Sequence, residues 1–233
     1  MILDVHTHLP APSAILCVEP WQVADTLAAH PDALLAVGIH PWSLAGVDSD
    51  RLLSLLEQLR TAAASPRVVA IGETGLDTLC ASPMPLQRLS FEAHIRLAAE
   101  LRLPLLLHVV RTAHEILSYL RRRPSPAVPW IWHGFRGNPT LASQFIAFPS
   151  TYISFGPRFN PATPAVVPLS RLLLETDATT PSSSTLSSTT ISSVASSVAA
   201  AMLPPISPSS LLSAAAANAS SLFQGSCKTR LKC

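Results

Sequence analysis

Eight short apolar runs, separated by stretches with helical spacing, limit what this chain can fold into. They lie at 2–8, 14–18, 34–39, 68–77, 104–108, 130–133, 151–156 and 171–177. Runs this apolar read as strands buried on both faces, and their alternation with helices implies a parallel sheet. The spacing predicts helices over 20–30, 50–64, 84–101, 112–123 and 139–148. The strongest is 84–101, where Leu86, Leu89, His94, Leu97 and Leu101 fall near one stripe. In 233 residues, eight such units predict one closed (β/α)8 TIM barrel, a fold that typically needs ~250 residues.

Several of these runs end in residues that a core strand does not need. The alternation of a strand puts His6 and His8 on one face, one pleat apart. The fourth run breaks into Gly72-Glu73-Thr74-Gly75, the fifth ends at His108, the sixth at His133 and the eighth at Asp177. In a parallel barrel the active site gathers at the C-terminal ends of the strands. Each of these residues alone has an ordinary structural explanation. Together they point to a metal centre on one rim. Four imidazoles and two carboxylates exceed the needs of one tetrahedral ion and suit two divalent ions, drawn from Zn, Mn, Mg, Ni or Fe. Two ions about 3.5–4 Å apart, bridged by a carboxylate, would activate a water. Glu73 is the natural bridge, and Asp177 is placed to hold a metal and take the proton of the attacking water. His40, after the third run, is a lone histidine that either lines a pocket or serves structure.

The remaining composition narrows the setting. A net charge of +2 and a pI of 8.5 are too weak to argue for nucleic acid by themselves. The start shows no basic leader segment, and no apolar stretch reaches the ~20 residues of a membrane span. The four cysteines, Cys17, Cys80, Cys227 and Cys233, form no CxxC pair and read as reduced thiols. A cytoplasmic monomer is expected. Residues 178–226 carry no charge and are rich in Ser, Thr and Ala. Ile191, Val194, Val198 and Leu203, then Leu211, Leu212 and Phe223, leave room for two small-residue helices across the barrel floor. One domain is expected over 1–223, with 224–233 as a flexible basic tail.

His6-Thr7-His8, Gly38-Ile39-His40-Pro41, Ile71-Gly72-Glu73-Thr74-Gly75-Leu76-Asp77, Leu103-Pro104-Leu105-Leu106-Leu107-His108, His133-Gly134-Phe135-Arg136-Gly137, Tyr152-Ile153-Ser154-Phe155-Gly156 and Leu174-Glu175-Thr176-Asp177 follow one another in an order that resembles the TatD family of metal-dependent hydrolases. The resemblance implies an amidohydrolase-like barrel that cleaves phosphodiester bonds of DNA, often as a 3′-to-5′ exonuclease. It implies one ion on His6, His8, Glu73 and Asp177, and a second on Glu73, His108 and His133. The family's Pro-Tyr and its Arg- and Asn-containing loop after the last strand are replaced here by Thr179-Thr180-Pro181 and a serine tract. Phosphate contacts would then fall to Arg136, Arg111 or Arg158, with Arg136 favoured because it follows a ligand strand. A hydrolase of a small ester, amide or phosphoester on the same centre, or a non-enzymatic scaffold, stays open on these residues.

Overall fold

Every strand pairs with its sequence neighbour, in parallel, in the order β1 to β8. The strands are β1 (Asp4–Thr7), β2 (Ala14–Val18), β3 (Leu34–Val37), β4 (Val68–Asp77), β5 (Leu105–Val110), β6 (Trp130–Trp132), β7 (Thr151–Phe155) and β8 (Leu172–Leu174). The helices are α1 (Val23–Ala29), α2 (Ser49–Ala63), α3 (Met84–Leu101), α4 (Ala113–Arg122), α5 (Pro139–Ile146), α6 (Ile191–Ala201) and α7 (Pro208–Arg230). This computed structural model describes residues 1–122, 126–179 and 190–230, with side chains of α7 described as far as Phe223.

The ring closes just beyond the ladder. The Asp177 N–H donates to the His6 carbonyl (3.0 Å) and the His8 N–H to the Ala178 carbonyl (2.9 Å). Asp4 reinforces the seam, accepting from the Thr176 N–H (3.1 Å) and the Thr176 hydroxyl (2.6 Å). The last strand is shorter than the sequence pattern predicts and stops at Leu174. Asp177 adopts the left-handed region, φ 51°, so the chain leaves the ladder before the aspartate. The barrel interior packs Val5, Ile15, Cys17, Ala36, Leu106 and Leu173. A larger outer core lies between strands and helices and includes Trp130, Phe91 and Phe145.

Helix α3 spans the expected residues, and Leu86, His94 and Leu97 of the expected stripe are buried, but Leu89 is not and the buried face extends to polar residues. Leu89 is 56% exposed, whereas Gln87, Ser90, Phe91, His94 and Ala98 face the barrel. Gln87 is buried because all its polar capacity is used. Its carbonyl oxygen accepts from the Asp77 N–H (2.8 Å), and its amide nitrogen donates to the carbonyls of Asp77 and Ser82 (2.9 Å each). This clamps the loop after β4. His94 accepts from the Ile39 N–H at Nε2 (2.9 Å), while Nδ1 lies 2.7 Å from the Ser90 carbonyl and donates to it. It is a structural histidine, as the pattern suggests.

Burial pushes His94 down to about 4 from its usual 6.5. The unfolded chain therefore binds a proton between these values that the folded chain refuses, and stability falls as pH drops through that window. Lowering the pH from 7 to 5 should cost about 2 kcal/mol through this residue alone. Urea titrations at the two pH values, compared with His94→Gln, measure it. An unchanged pH dependence in the variant would sink the assignment.

The uncharged region folds as two helices. Thr190 caps α6 in a reciprocal pair with Ser193 (3.1 Å each way). The end of α7 closes the floor, with Ala219, Leu222 and Phe223 against Ile2 and Val69 of the interior. Asn218 ties it down, donating to the carbonyls of Leu169 (2.7 Å) and Leu172 (2.9 Å). Of the residues expected as a tail over 224–233, α7 runs on to Arg230, and 231–233 lie outside the described part. No proline interrupts this stretch, and basic residues suit a helix C-terminus. No described helix is long and apolar enough to cross a membrane.

Candidate metal centre

Backbone geometry at the end of β4 sets where the acid sits. Gly75 has φ +149°, and a Cβ there would collide with the His108 carbonyl of β5. Only glycine lets the two strands approach this closely while Glu73 and His108 point into the same space. From the other side β1 and the closing seam bring His6, His8 and Asp177 to the same place.

All six strand-end residues converge. Glu73 is buried and offers its two oxygens to different partners. Oε2 lies 3.4 Å from His6 Nε2 and 3.5 Å from His8 Nε2. Oε1 lies 2.6 Å from His108 Nδ1, 2.7 Å from His133 Nε2 and 3.3 Å from His40 Nε2. Asp177 Oδ1 is 3.6 Å from His6 Nε2 and 4.0 Å from His8 Nε2. Three triplets have donor atoms within 4.8 Å of one another: His6, His8, Asp177; His6, Glu73, His133; and His40, Glu73, His108. His40 thus joins the cluster, more closely than its lone position in the sequence implied.

The donor set fits divalent cations. His6 Nε2 is buried without a hydrogen-bond partner, yet faces two carboxylates at distances too long for good hydrogen bonds. A buried, unpartnered nitrogen placed between two carboxylates is where a cation would fit. Burial pushes the Glu73 carboxyl up, but the His133 and His6 imidazoles and contacts with His108 and His133 outweigh it and hold it well below the usual range. Asp177 behaves alike: burial raises it, and the neighbouring His6 and His133 bring it below the ordinary value. Both acids are therefore carboxylates at neutral pH, as ligands must be.

A second layer orients the imidazoles. His133 Nδ1 lies 3.3 Å from Oε1 of the fully buried Glu175. His108 Nε2 lies 3.1 Å from Asp77 Oδ2, which also accepts from the Trp42 indole N–H (2.8 Å). His6 Nδ1 lies 3.1 Å from Cys17 Sγ, and burial, then the charges of Glu73, Glu175 and Asp4, push that thiol well above its usual value. Each partner fixes which nitrogen faces the cluster. Sequence reasoning did not assign these partners, although Asp77 and Glu175 lie inside the quoted motifs. Glu175→Gln should weaken metal affinity by roughly 10–100-fold, read by competition with a chelating dye. An unchanged affinity would show that the glutamate serves packing alone.

The centre opens into a cavity of about 870 Å³. Arg111, Arg136 and Arg158 all line it, as does Glu19 at the end of β2. Glu19 accepts from the Ser43 hydroxyl (2.6 Å) and the His40 N–H (3.2 Å), and burial pushes its carboxyl up to about 7. Arg158 reaches Asp177 Oδ2 at 3.3 Å. Thr179 also lines the cavity, and the serine tract over 180–189 lies outside the described residues.

Fold and site together define a (β/α)8 barrel with a histidine–carboxylate centre at the C-terminal ends of its strands, the layout of metal-dependent barrel hydrolases. Residues 4–224 match the model of the TatD related DNase family, and the chain belongs to that family. It is 34% identical over 151 residues to the uncharacterized metal-dependent hydrolase YabD of Bacillus subtilis, covering 61% of this chain and 57% of the relative. It is 35% identical over 175 residues to the 3′-5′ ssDNA/RNA exonuclease TatD of Erwinia tasmaniensis, covering 69% and 64%. The chain thus spans less than two thirds of the length of these curated relatives. The crystal structure of the TatD homolog YjjV from Escherichia coli superposes with a TM-score of 0.78 at 25% identity, covering 96% of this chain and 98% of that one.

Proposed function

We propose that the protein is a divalent-metal-dependent nuclease that removes nucleotides stepwise from the 3′ end of single-stranded DNA. The observation that carries this reading is the division of Glu73: one oxygen faces His6 and His8, the other faces His108 and His133. In this reading His6, His8, Glu73 and Asp177 would hold one ion, and Glu73, His108 and His133 would hold a second. When bound, such ions supply Lewis acidity toward a phosphoryl oxygen and lower the pKa of water.

The chain's own groups do the rest. Asp177, held as a carboxylate, accepts the proton of the attacking water. Arg136, Arg111 and Arg158 hold the substrate phosphates along the rim, where their planar forks suit bidentate contact. Glu175 and Asp77 keep His133 and His108 oriented toward Glu73. His40 packs beside Glu73 and His108 and fixes the wall of the pocket. All ligands come from one chain, so the reading needs no second copy. The free thiols Cys17 and Cys80 suit the reducing conditions of a cytoplasm. Residues 1–223 act as one catalytic domain, in keeping with the span of the family match. The named exonuclease activity of the Erwinia relative supports the choice of substrate.

The test is hydrolysis of a 5′-labelled single-stranded oligonucleotide with added Mg²⁺, Mn²⁺ or Zn²⁺. A ladder of shortened products that requires metal is expected. No cleavage by protein shown to contain metal would overturn the nuclease reading.

A further inference from the structure

The rim of the cavity divides by chemistry in strand order. Arg111, Arg136 and Arg158 follow β5, β6 and β7. The loops after β3 and β4 instead contribute Trp42 and Leu79, which are 63% and 61% exposed. Large exposed hydrophobic residues occur elsewhere on the surface, Trp21, Leu89 and Leu203 among them, but of the described ones these two alone line the metal cavity. The tryptophans of β6 are buried, so the exposure of Trp42 is not a property of the residue type here.

Trp42 is also fixed in place. Its indole N–H donates to Asp77 Oδ2 (2.8 Å), its backbone N–H donates to His40 Nδ1 (3.1 Å), and its ring stands at 90° to that of His40 with centroids 5.2 Å apart. The other oxygen of Asp77 accepts from the Leu79 N–H at 2.7 Å. One carboxylate thus anchors both apolar residues, and the same carboxylate contacts His108 beside Glu73. A rigid, exposed aromatic ring loses little conformational freedom when a flat ligand covers it.

We infer that Trp42, with Leu79 beside the same anchor, is a stacking platform for an unpaired nucleobase of the substrate, in the cavity whose arginines take its phosphates. This rests on the nuclease reading above and adds how the base is gripped. A nucleotide has one apolar, planar end and one anionic end, and residues suited to each line the same cavity as the donor cluster. A base inside a duplex has both faces covered and its pairing edge occupied, so the platform favours unpaired bases. Stacking recognises the face shared by all bases, so it carries little sequence preference.

The experiment compares kcat/KM for a single-stranded oligonucleotide bearing normal bases at its 3′ end with the same strand bearing abasic residues there. Metal-loaded wild-type protein should prefer the normal strand by about tenfold, mostly through KM. Trp42→Leu should bring the ratio close to one, and Trp42→Phe should keep most of it, because phenylalanine stacks but lacks the N–H for Asp77. The ratio is internal to each variant, so a partly folded preparation does not distort it. Cleavage with no base preference in wild type, or an unchanged ratio in Trp42→Leu, would overturn the platform and leave the nuclease reading standing. No cleavage of either strand by metal-loaded wild type would remove both.

Discussion

Glu73→Gln should lower metal-dependent phosphodiester hydrolysis by at least about 10³-fold, more than the loss of one preorganised hydrogen-bond donor costs a typical active site. The substitution keeps the side-chain shape and removes the charge. In the native site this one carboxylate lies within 3.5 Å of five imidazole nitrogens, those of His6, His8, His40, His108 and His133. In the proposed two-ion arrangement it is the member common to both donor sets, so its neutralisation would affect both. The bound-metal content should fall with the rate, read by elemental analysis after gel filtration. Retention of two ions together with the rate would disprove the bridging role. Loss of rate with both ions retained would assign Glu73 to the chemistry instead of to binding.

Gly75→Ala should destabilise the folded protein by roughly 4 kcal/mol, combining overpacking with left-handed strain. The new Cβ would overlap the His108 carbonyl, which is part of the ladder between β4 and β5 and cannot swing aside. Gly46→Ala is the matching control. Its φ is +73°, but nothing lies within 4 Å of the added carbon, so only the strain of about 1 kcal/mol should appear. Urea denaturation of both variants gives the difference. Equal losses would mean that the strands separate easily and that the approach of β4 to β5 is not a constraint on the site.

The barrel was readable because strands buried on both faces leave continuous apolar runs, and five of those here end in His or an acid at the working rim. Ala14–Val18 and Val68–Asp77 coincide with the expected limits. The end of β8 did not: the strand stops at Leu174, and periodicity contains no sign of the left-handed Asp177 beyond it. Leu89 was placed on the buried stripe of α3 because it is apolar. The true face includes Gln87, whose burial depends on hydrogen bonds to a loop ten residues earlier in the chain. The six converging residues were found from their positions alone. Their supporting partners were not, since Cys17 beside His6, Trp42 against Asp77 and Glu175 against His133 are meetings made only by the folded barrel.

The seam between the first and last strands has a thermodynamic consequence. His6 and Asp177 belong to opposite edges of the sheet until the Asp177 N–H reaches the His6 carbonyl. A cation held by both is therefore available only to the closed ring, and mass action makes its affinity and the cohesion of the whole barrel one quantity. Chelators would then loosen the scaffold at its seam first, and partially unzipped molecules would be unable to retain such a cation.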